Sequence, residues 1–298
     1  MILLKSYGEF LLRHLKLQRK IKAVFDGSNG STGPILEYIE RRSKDLKLEL
    51  QDVNPDGNFA AHGPNPLHRG ALKDLSSAVL KNEADFGAEF DADGDRVVFV
   101  DDRGRPISYD IVSLLMLLYL KPRNMIFDVR HGFLLRDMRP KGTKLTMSRV
   151  GSVFIKEAMH KKDIEFGAEE SGHYYFKQFF YADSGIMAAV LFASAVSEIV
   201  GVRLSEWIDG LPEYHRSPEL NFKFKNKVAV ISKIEKHFKN RAKHISRIDG
   251  VRMEFISPKG EWWFSLRPSN TENLLRLNVE ATNKALLKGS LTELRRLL

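Results

Sequence analysis

The sequence predicts an α/β fold that is followed by a smaller α+β unit at the carboxyl end. Short apolar runs typical of strands alternate with segments of helical periodicity. The Pro- and Gly-punctuated segment DGLPEYHRSP interrupts this alternation, so we place a boundary near Tyr214. A second boundary just before Asp110 gives predicted domains 1–108, 109–213 and 214–298. The alternation in the first two favours largely parallel sheets.

The first predicted domain begins with an amphipathic helix that has Leu11, Leu12 and Leu15 on one face. The segment ADFGAEFDADGDRVVFVDD at its end is typical of a strand, a loop and a second strand. The elements expected between them are the strand IKAVFDG, the turn GSNGSTG, the helix PILEYIERRSK, the strand LELQDV and the helix GALKDLSSAVLKNE.

The second predicted domain contains an apolar segment, IMAAVLFASAVSEIV (186–200), that is too short to cross a membrane. We therefore expect a buried helix there. The elements expected before it are the helix DIVSLLMLLYL, the strand NMIFDV, the helix SVFIKEAMHKK and the short strand IEFGAEE. No internal repeat is evident in the sequence.

Composition describes an ordinary globular protein of several domains, with 298 residues, 43% hydrophobic and 29% charged. The lack of cysteine excludes a disulfide framework and thiolate metal sites, and it fits the cytoplasm. No apolar run reaches the length of a membrane helix, and the charged amino-terminal segment lacks a signal-peptide cleavage site. We expect neither a membrane partner nor secretion.

The formal net charge of +9 is compatible with two kinds of anionic partner. A nucleic-acid-binding protein would gather its basic residues in a stripe with interleaved aromatic residues. Here the basic residues are dispersed, and no standard nucleic-acid motif accompanies them. The charge therefore favours a small anionic substrate that is attracted into a basic cleft.

Three carboxylates, Asp91, Asp93 and Asp95, occupy alternate positions in EFDADGDRVVFVDDRG and are followed by Arg96. Like charges at this spacing repel each other, and a hard divalent cation would neutralise them. The alternative is a solvated acidic turn. An EF-hand is excluded, because its sixth position needs Gly and its twelfth needs Glu, where this chain has Arg96 and Asp102. The Asp-x-Asp-Gly-Thr motif of haloacid-dehalogenase-type phosphatases remains a distant competitor, with Asp95 at the threonine position.

Two further polar loops carry candidate ligand-binding residues. FGAEESGHYYF places Glu169, Ser171 and His173 between glycines, a set of donors and acceptors that suits sugar hydroxyls. Taken alone, this segment is also explained by a polar turn. RPSNTENLLRLNVEA offers a guanidinium, hydroxyls and an amide that suit a phosphate group. The residues concerned are Arg267, Ser269, Asn270 and Thr271.

In this order and spacing, the three loops resemble those of the α-D-phosphohexomutases, the family of phosphoglucomutase, phosphomannomutase and phosphoglucosamine mutase. The aspartate loop resembles the metal-binding loop of that family, GAEESGH its sugar-recognition loop and RPSNTE its phosphate-binding loop. Weaker agreement extends over FDGSNGSTG, HGPNPL, RVGSVFIKEAM and DSGIMAAVL. The resemblance implies two mixed-sheet α/β domains followed by a smaller α+β domain.

The resemblance also implies a role for each of these residues. Mg²⁺ would be held by the three aspartates, and the chemistry would involve Arg96, which faces the transferred phosphoryl group, and His173. Arg149 would add a cation to the cleft. Glu169 and Ser171 would bind sugar hydroxyls, while the non-reacting phosphate of a hexose phosphate or bisphosphate would lie at Arg267, Ser269, Asn270 and Thr271.

The sequence departs from the family pattern at the phosphate-carrying residue. Family members carry a phosphoserine in a Ser-His-Asn-Pro type motif of their first domain, and this sequence contains no Ser-His pair. The resemblance implies that the chain corresponds to domains two, three and four. Ser152 stands where the family usually has a histidine, and Phe133 stands where it often has a basic residue, with Arg130 and Arg136 nearby.

Three functional interpretations follow. The chain is part of a split or shortened phosphohexomutase whose nucleophile comes from another polypeptide, or a sugar-phosphate-binding or regulatory protein without catalysis, or an enzyme with another phosphoryl chemistry such as metal-assisted hydrolysis. We expect phosphohexomutase ancestry, with little or no mutase activity of the chain alone. The loops do not distinguish glucose, mannose and glucosamine phosphates.

Overall fold

The computed structural model describes residues 2–269 and 272–298 of the chain. Among these residues the strands form three sheets, of which the first two are mixed and the third is antiparallel. This arrangement confirms the predicted fold class of two mixed-sheet α/β units and a smaller α+β unit. The domain boundaries at 108/109 and 213/214 stay predictions. None of the described helices has the length and hydropathy that a membrane crossing requires.

The first unit places the aspartate loop between two antiparallel strands at the edge of its sheet. Its elements are α1 (Ile2–His14), β1 (Ile21–Asp26), α2 (Gly33–Arg42), β2 (Leu46–Gln51), α3 (Lys73–Asn82), β3 (Phe86–Phe90) and β4 (Val97–Asp101). The strand order is β2-β1-β3-β4, in which β1 is parallel to both β2 and β3, and β3 is antiparallel to β4. The loop that carries the aspartates joins β3 to β4.

The second unit repeats this connectivity. Its elements are α4 (Tyr109–Leu120), β5 (Asn124–Asp128), α5 (Phe133–Met138), β6 (Lys144–Ser148), α6 (Ser152–Lys162), β7 (Phe166–Ala168), β8 (Tyr174–Phe176), β9 (Ala182–Asp183), α7 (Gly185–Ser197) and α8 (Leu204–Asp209). The strand order is β6-β5-β7-β8-β9, with β5 parallel to β6 and β7 and antiparallel pairs beyond β7. The GAEESGH segment joins β7 to β8, the same place that the aspartate loop has in the first sheet.

Helix α7 packs the first two units together. All thirteen of its residues are buried, which confirms the buried helix predicted for 186–200, except that the helix ends at Ser197. Phe192 stacks on Phe99 of the first sheet, with ring centroids 4.1 Å apart, and meets Phe86 edge-on at 5.1 Å. One hydrophobic core therefore runs through both units, so their loops are held at fixed relative positions.

The third unit has a hydrophobic core of its own, formed between an antiparallel sheet and two helices. Its elements are β10 (His215–Arg216), β11 (Leu220–Phe222), α9 (Lys227–Phe238), β12 (His244–Ser246), β13 (Val251–Ser257), β14 (Gly260–Pro268), β15 (Leu275–Ala281) and α10 (Lys284–Leu297). The strand order is β10-β15-β14-β13-β12, and β11 also pairs with β15. Phe238 of α9 and Leu294 of α10 are buried against the sheet.

Buried polar side chains hold the third unit against the second. Glu280 at the end of β15 accepts the backbone N–H of Phe133 at 2.8 Å. Arg252 of β13 donates to the backbone carbonyls of Val129 and His131, both at 2.7 Å. Because each of these groups is buried, breaking one contact would leave an unpaired polar atom, which typically costs about 1–3 kcal/mol.

Candidate functional site

The aspartate loop folds around the buried carboxylate of Asp91, which is 2% exposed. Its Oδ1 accepts the backbone N–H groups of Gly94 and Arg96 at 3.0 and 3.2 Å. Gly94 has φ +75, a conformation that glycine adopts without strain. One oxygen each of Asp91, Asp93 and Asp95 lies within 4.8 Å of the others. The structure therefore brings together the three predicted metal-ligating residues.

Arg96 lies against these carboxylates. Its Nε donates to Asp91 Oδ2 at 2.6 Å and lies 3.8 Å from Asp95 Oδ1. Its Nη1 donates to Asn65 Oδ1 at 3.3 Å, which links the aspartate loop to the segment that joins β2 to α3. The guanidinium offsets part of the negative charge of the loop, and its predicted contact with a phosphoryl group stays a prediction.

The imidazole of His173 connects the aspartate loop to the GAEESGH loop. Its Nε2 donates to Asp95 Oδ2 at 3.3 Å, and its Nδ1 lies 2.8 Å from Ser171 Oγ. Burial lowers the pKa of His173, but hydrogen bonding to Asp95 and the charge of Asp95 outweigh burial and leave that pKa raised. The same hydrogen bond lowers the pKa of Asp95 to about 2. His173 thus lies between a candidate metal ligand and a candidate sugar ligand.

Backbone contacts fix the same two loops independently of their side chains. Val97 donates its N–H to the carbonyl of Gly172 at 3.1 Å, next to an antiparallel bridge between Arg96 and His173. Gly185, the first residue of α7, donates its N–H to the carbonyl of Gly94 at 2.9 Å. Backbone hydrogen bonds of the kind found between strands therefore join these two loops, which belong to different sheets.

Glu169 is buried and already engaged in the site. Its Oε1 accepts the backbone N–H of Gly151 at 2.8 Å, and its Oε2 accepts the hydroxyl of Tyr175 at 2.5 Å. The carboxylate also lies 3.7 Å from His173 Nδ1. These contacts hold the start of α6 against the GAEESGH loop, and direct binding of a sugar hydroxyl by Glu169 stays a prediction.

Arg267 lies near the end of β14 in the third unit, close to Arg130 of the second unit. Its side chain is 3% exposed, and its Nη2 lies 3.3 Å from Glu219. Within residues 2–269 and 272–298 its Nε has no hydrogen-bond partner. Burial, followed by the charge of Arg130, lowers the pKa of Arg267. A buried guanidinium with a free donor and a cation nearby suits an anionic ligand. Ser269 follows it and accepts the N–H of Glu272, whereas Asn270 and Thr271 lie outside the described residues.

Two acidic residues near Arg267, Asp128 and Glu170, were missed from the sequence. Asp128 at the end of β5 pairs with Arg130 through two hydrogen bonds of 3.0 and 2.7 Å. Glu170 Oε2 lies 3.2 Å from Arg130 and 3.6 Å from Arg216, and burial raises the pKa of Glu170 to about 8. The position of Asp128 at the carboxyl end of a predicted strand, beside Arg130, was the available signal.

Comparison with known proteins gives three family models that match consecutive parts of the chain. Residues 5–104 match phosphoglucomutase/phosphomannomutase α/β/α domain II, residues 114–214 match α/β/α domain III, and residues 219–297 match the C-terminal domain. The chain belongs to the phosphoglucomutase/phosphomannomutase family. This result confirms the resemblance to the α-D-phosphohexomutases.

Phosphomannomutases are among the relatives of this phosphohexomutase-family chain. It is 35% identical to the phosphomannomutase of Methanocaldococcus jannaschii over 99% of its own length and 65% of the relative. It is 37% identical to the phosphomannomutase of Escherichia coli K12, over 93% of its own length and 62% of that relative. A crystal structure of a phosphoglucomutase/phosphomannomutase family protein from Burkholderia thailandensis matches 99% of the chain and 64% of that protein, with TM-score 0.85 and 28% identity. The chain thus spans less than two thirds of the length of these relatives.

Arg149, the remaining predicted site residue, and the residues at which the sequence departs from the family pattern have different surroundings. Arg149 is exposed, and its guanidinium lies 4.2 Å from the ring centroid of Phe154. Ser152 begins α6. Arg136 pairs with Asp137 and Glu261 rather than facing the loops. Phe133 is 1% exposed and packs in the interior.

Because α7 contacts the aspartate loop closely, we predict that one added methyl group at Gly185 would destabilise the protein. A Cβ on Gly185 would lie 2.5 Å from the carbonyl oxygen of Arg96. Backbone atoms there must move, so Gly185→Ala should lower the free energy of unfolding by about 1–3 kcal/mol in urea denaturation.

Gly289 is a matched control, since it lies in helix α10, where a Cβ would meet no neighbouring atom of the described residues within 4 Å. Gly289→Ala should raise stability by about 0.5–1 kcal/mol through helix propensity. Equal stability of Gly185→Ala and the unchanged chain would contradict the described contact.

Proposed function

We propose that this chain forms the Mg²⁺- and hexose-phosphate-binding part of a phosphohexomutase. The observation that carries the proposal is the connection through His173, which contacts Asp95 of the aspartate loop and Ser171 of the sugar-recognition loop. A polar turn or an isolated acidic turn would not need this coupling. Membership of the phosphoglucomutase/phosphomannomutase family supports the same assignment.

The aspartate loop has the chemistry of a magnesium site. Asp91, Asp93 and Asp95 offer only oxygen ligands, which Mg²⁺ prefers. Among the described residues, Asp95 Oδ1 is a buried oxygen without a hydrogen-bond partner. When bound, Mg²⁺ would neutralise charge on a phosphoryl group in transfer. Arg96 would orient that group from its position beside Asp91.

The guanidinium of Arg267 would anchor the phosphate that does not react. Arg267 and Arg130 present two guanidinium groups, and Ser269, Asn270 and Thr271 follow Arg267 along the chain. Phosphate binding would relieve the repulsion between the two cations. Glu169 and Ser171 would accept and donate hydrogen bonds to sugar hydroxyls, with His173 moving a proton at the hydroxyl next to the metal.

Hexose phosphates should raise the melting temperature of the chain, because a ligand that binds only the native state stabilises it. At about 100 Kd the stabilisation is ~2.7 kcal/mol. Arg267→Ala should abolish the shift produced by glucose 6-phosphate or mannose 6-phosphate in thermal denaturation. Arg241→Ala is the control, since Arg241 is an exposed cation of the same unit that pairs with Glu293. A full shift in Arg267→Ala would mean that the phosphate binds elsewhere.

Mg²⁺ should bind weakly to the chain alone, with water in place of the phosphoserine oxygen of the intact family site. Asp93→Asn should weaken this binding further, by about tenfold or more, in calorimetric titrations. Asp93 is exposed, so the substitution spares the core and relieves repulsion in the metal-free protein. The exposed Asp45→Asn serves as control. Unchanged Mg²⁺ affinity in Asp93→Asn would refute the assignment.

The second candidate function is sugar-phosphate binding without turnover, which Ser152 at the start of α6 favours. We expect the chain alone to interconvert hexose 1- and 6-phosphates at least about a thousandfold more slowly than the Escherichia coli relative, because a phosphoryl carrier is essential to ping-pong transfer. The measurement is a coupled assay primed with glucose 1,6-bisphosphate.

The matched control for that assay is Asp91→Ala, which should remove genuine activity and leave any contaminating mutase unaffected. Robust turnover that disappears in Asp91→Ala would show that a residue of this chain carries the phosphoryl group. Restoration of turnover by a separate polypeptide with a Ser-His-Asn motif would favour a split mutase. Binding that persists without turnover in its presence would favour the non-catalytic function.

A further inference from the structure

A second cluster of ligand-type side chains lies in the first unit, outside the aspartate loop. Asp26 ends β1, Glu89 lies in β3 as its register partner, and His62 reaches them from the segment between β2 and α3. One ligand atom from each of the three residues lies within 4.8 Å of the others. Nothing in the proposed sugar-phosphate chemistry uses these residues.

The cluster is buried and short of hydrogen bonds. Asp26 and Glu89 are 0% exposed, and the His62 side chain is 8% exposed. Within residues 2–269 and 272–298, both Glu89 carboxylate oxygens, Asp26 Oδ2 and His62 Nδ1 have no hydrogen-bond partner. Buried polar atoms are normally paired, so this number of unpaired atoms at one place indicates a missing ligand.

Among the described residues, no lysine or arginine pairs with the carboxylates of the cluster. His62 lies between the two carboxylates, with Nε2 3.2 Å from Asp26 Oδ1 and Nδ1 3.5 Å from Glu89 Oε1. Asp52 adds a third carboxylate 4.0 Å from His62 Nε2. Burying unpaired carboxylates is costly, and a divalent cation would remove that cost.

We propose that Asp26, His62 and Glu89 form a second metal site that binds Zn²⁺ or a similar divalent first-row transition ion. An imidazole nitrogen with two carboxylates is a typical donor set for such ions, whereas Mg²⁺ takes oxygen ligands. Asp52 or water completes the coordination. The two metal sites are thereby distinguished by their ligands: all oxygen in the aspartate loop, and mixed nitrogen and oxygen here.

The proposed ion has a structural consequence for the sugar-phosphate site. It would tie the end of β3, two residues before Asp91, to the segment that carries His62. The same segment provides Asn65, which accepts a hydrogen bond from Arg96 at 3.3 Å. Binding at the second site would therefore order the segment that positions Arg96 beside the aspartates.

The test is calorimetric titration of the full chain with Zn²⁺ in the presence of excess Mg²⁺. We expect about one equivalent to bind, with affinity reduced at least tenfold in Glu89→Gln and in His62→Gln. Asp93→Asn should keep Zn²⁺ binding, which separates this site from the aspartate loop. His237→Gln is the matched control, because His237 forms a surface pair with Glu293 at 2.8 Å.

X-ray absorption of the Zn²⁺-loaded unsubstituted chain gives a second measurement that does not depend on the folding of any variant. The expected spectrum shows one imidazole among oxygen ligands. The proposal is overturned if Zn²⁺ fails to bind. A proton shared by Glu89 and His62 would then be what balances the charge of the cluster. It is also overturned if the spectrum lacks imidazole, if Asp93→Asn abolishes binding, or if His237→Gln reduces binding as much as His62→Gln does.

Discussion

The contact between the aspartate loop and the loop after β7 is the constraint on which the rest of the site depends. Each loop ends a central strand of a different sheet, so neither sheet alone could align them. The hydrogen bonds from Val97 to Gly172 and from Gly185 to Gly94 make that alignment part of the backbone. Helix α7 supports it from behind through Phe192, which packs on the first sheet. A rigid apolar core thus holds the polar side chains of the two loops together. Without it, the carboxylates would repel each other and water would solvate each loop separately.

Charge is separated along the site in a way that suits a phosphorylated sugar. The end formed by Asp91, Asp93 and Asp95 is acidic, and burial raises the pKa of Asp91 to about 6. The end at Arg130 and Arg267 carries two guanidinium groups, which lie beside the carboxylates of Asp128 and Glu219. A bound metal cation at the aspartates and a phosphate at Arg267 would balance the charges at the two ends. The net charge of +9 attracts such anions but does not decide where they bind.

Strand periodicity and local ligand sets are short-range signals, so the sequence predicted the alternation of strands and helices and the three polar loops. The buried helix α7, Gly185–Ser197, was predicted as 186–200 for the same reason. The mixed sheets were implied by the family resemblance. Contacts between distant segments could not be predicted, such as the acceptance of the Phe133 N–H by Glu280. The repeated connectivity of the first two sheets was also missed, since it is a property of strand order and leaves no evident sequence repeat. The unpaired atoms of Glu89 become visible only when burial is known.

The most direct test of the account is a crystal structure of the chain with glucose 1,6-bisphosphate and Mg²⁺. One phosphate should lie against Arg267, the sugar hydroxyls at Glu169 and Ser171, and the second phosphate toward the metal held by the aspartates. The ligand would then bridge loops from all three units. A bisphosphate bound away from these loops, or Mg²⁺ bound without contact to the aspartates, would contradict the account.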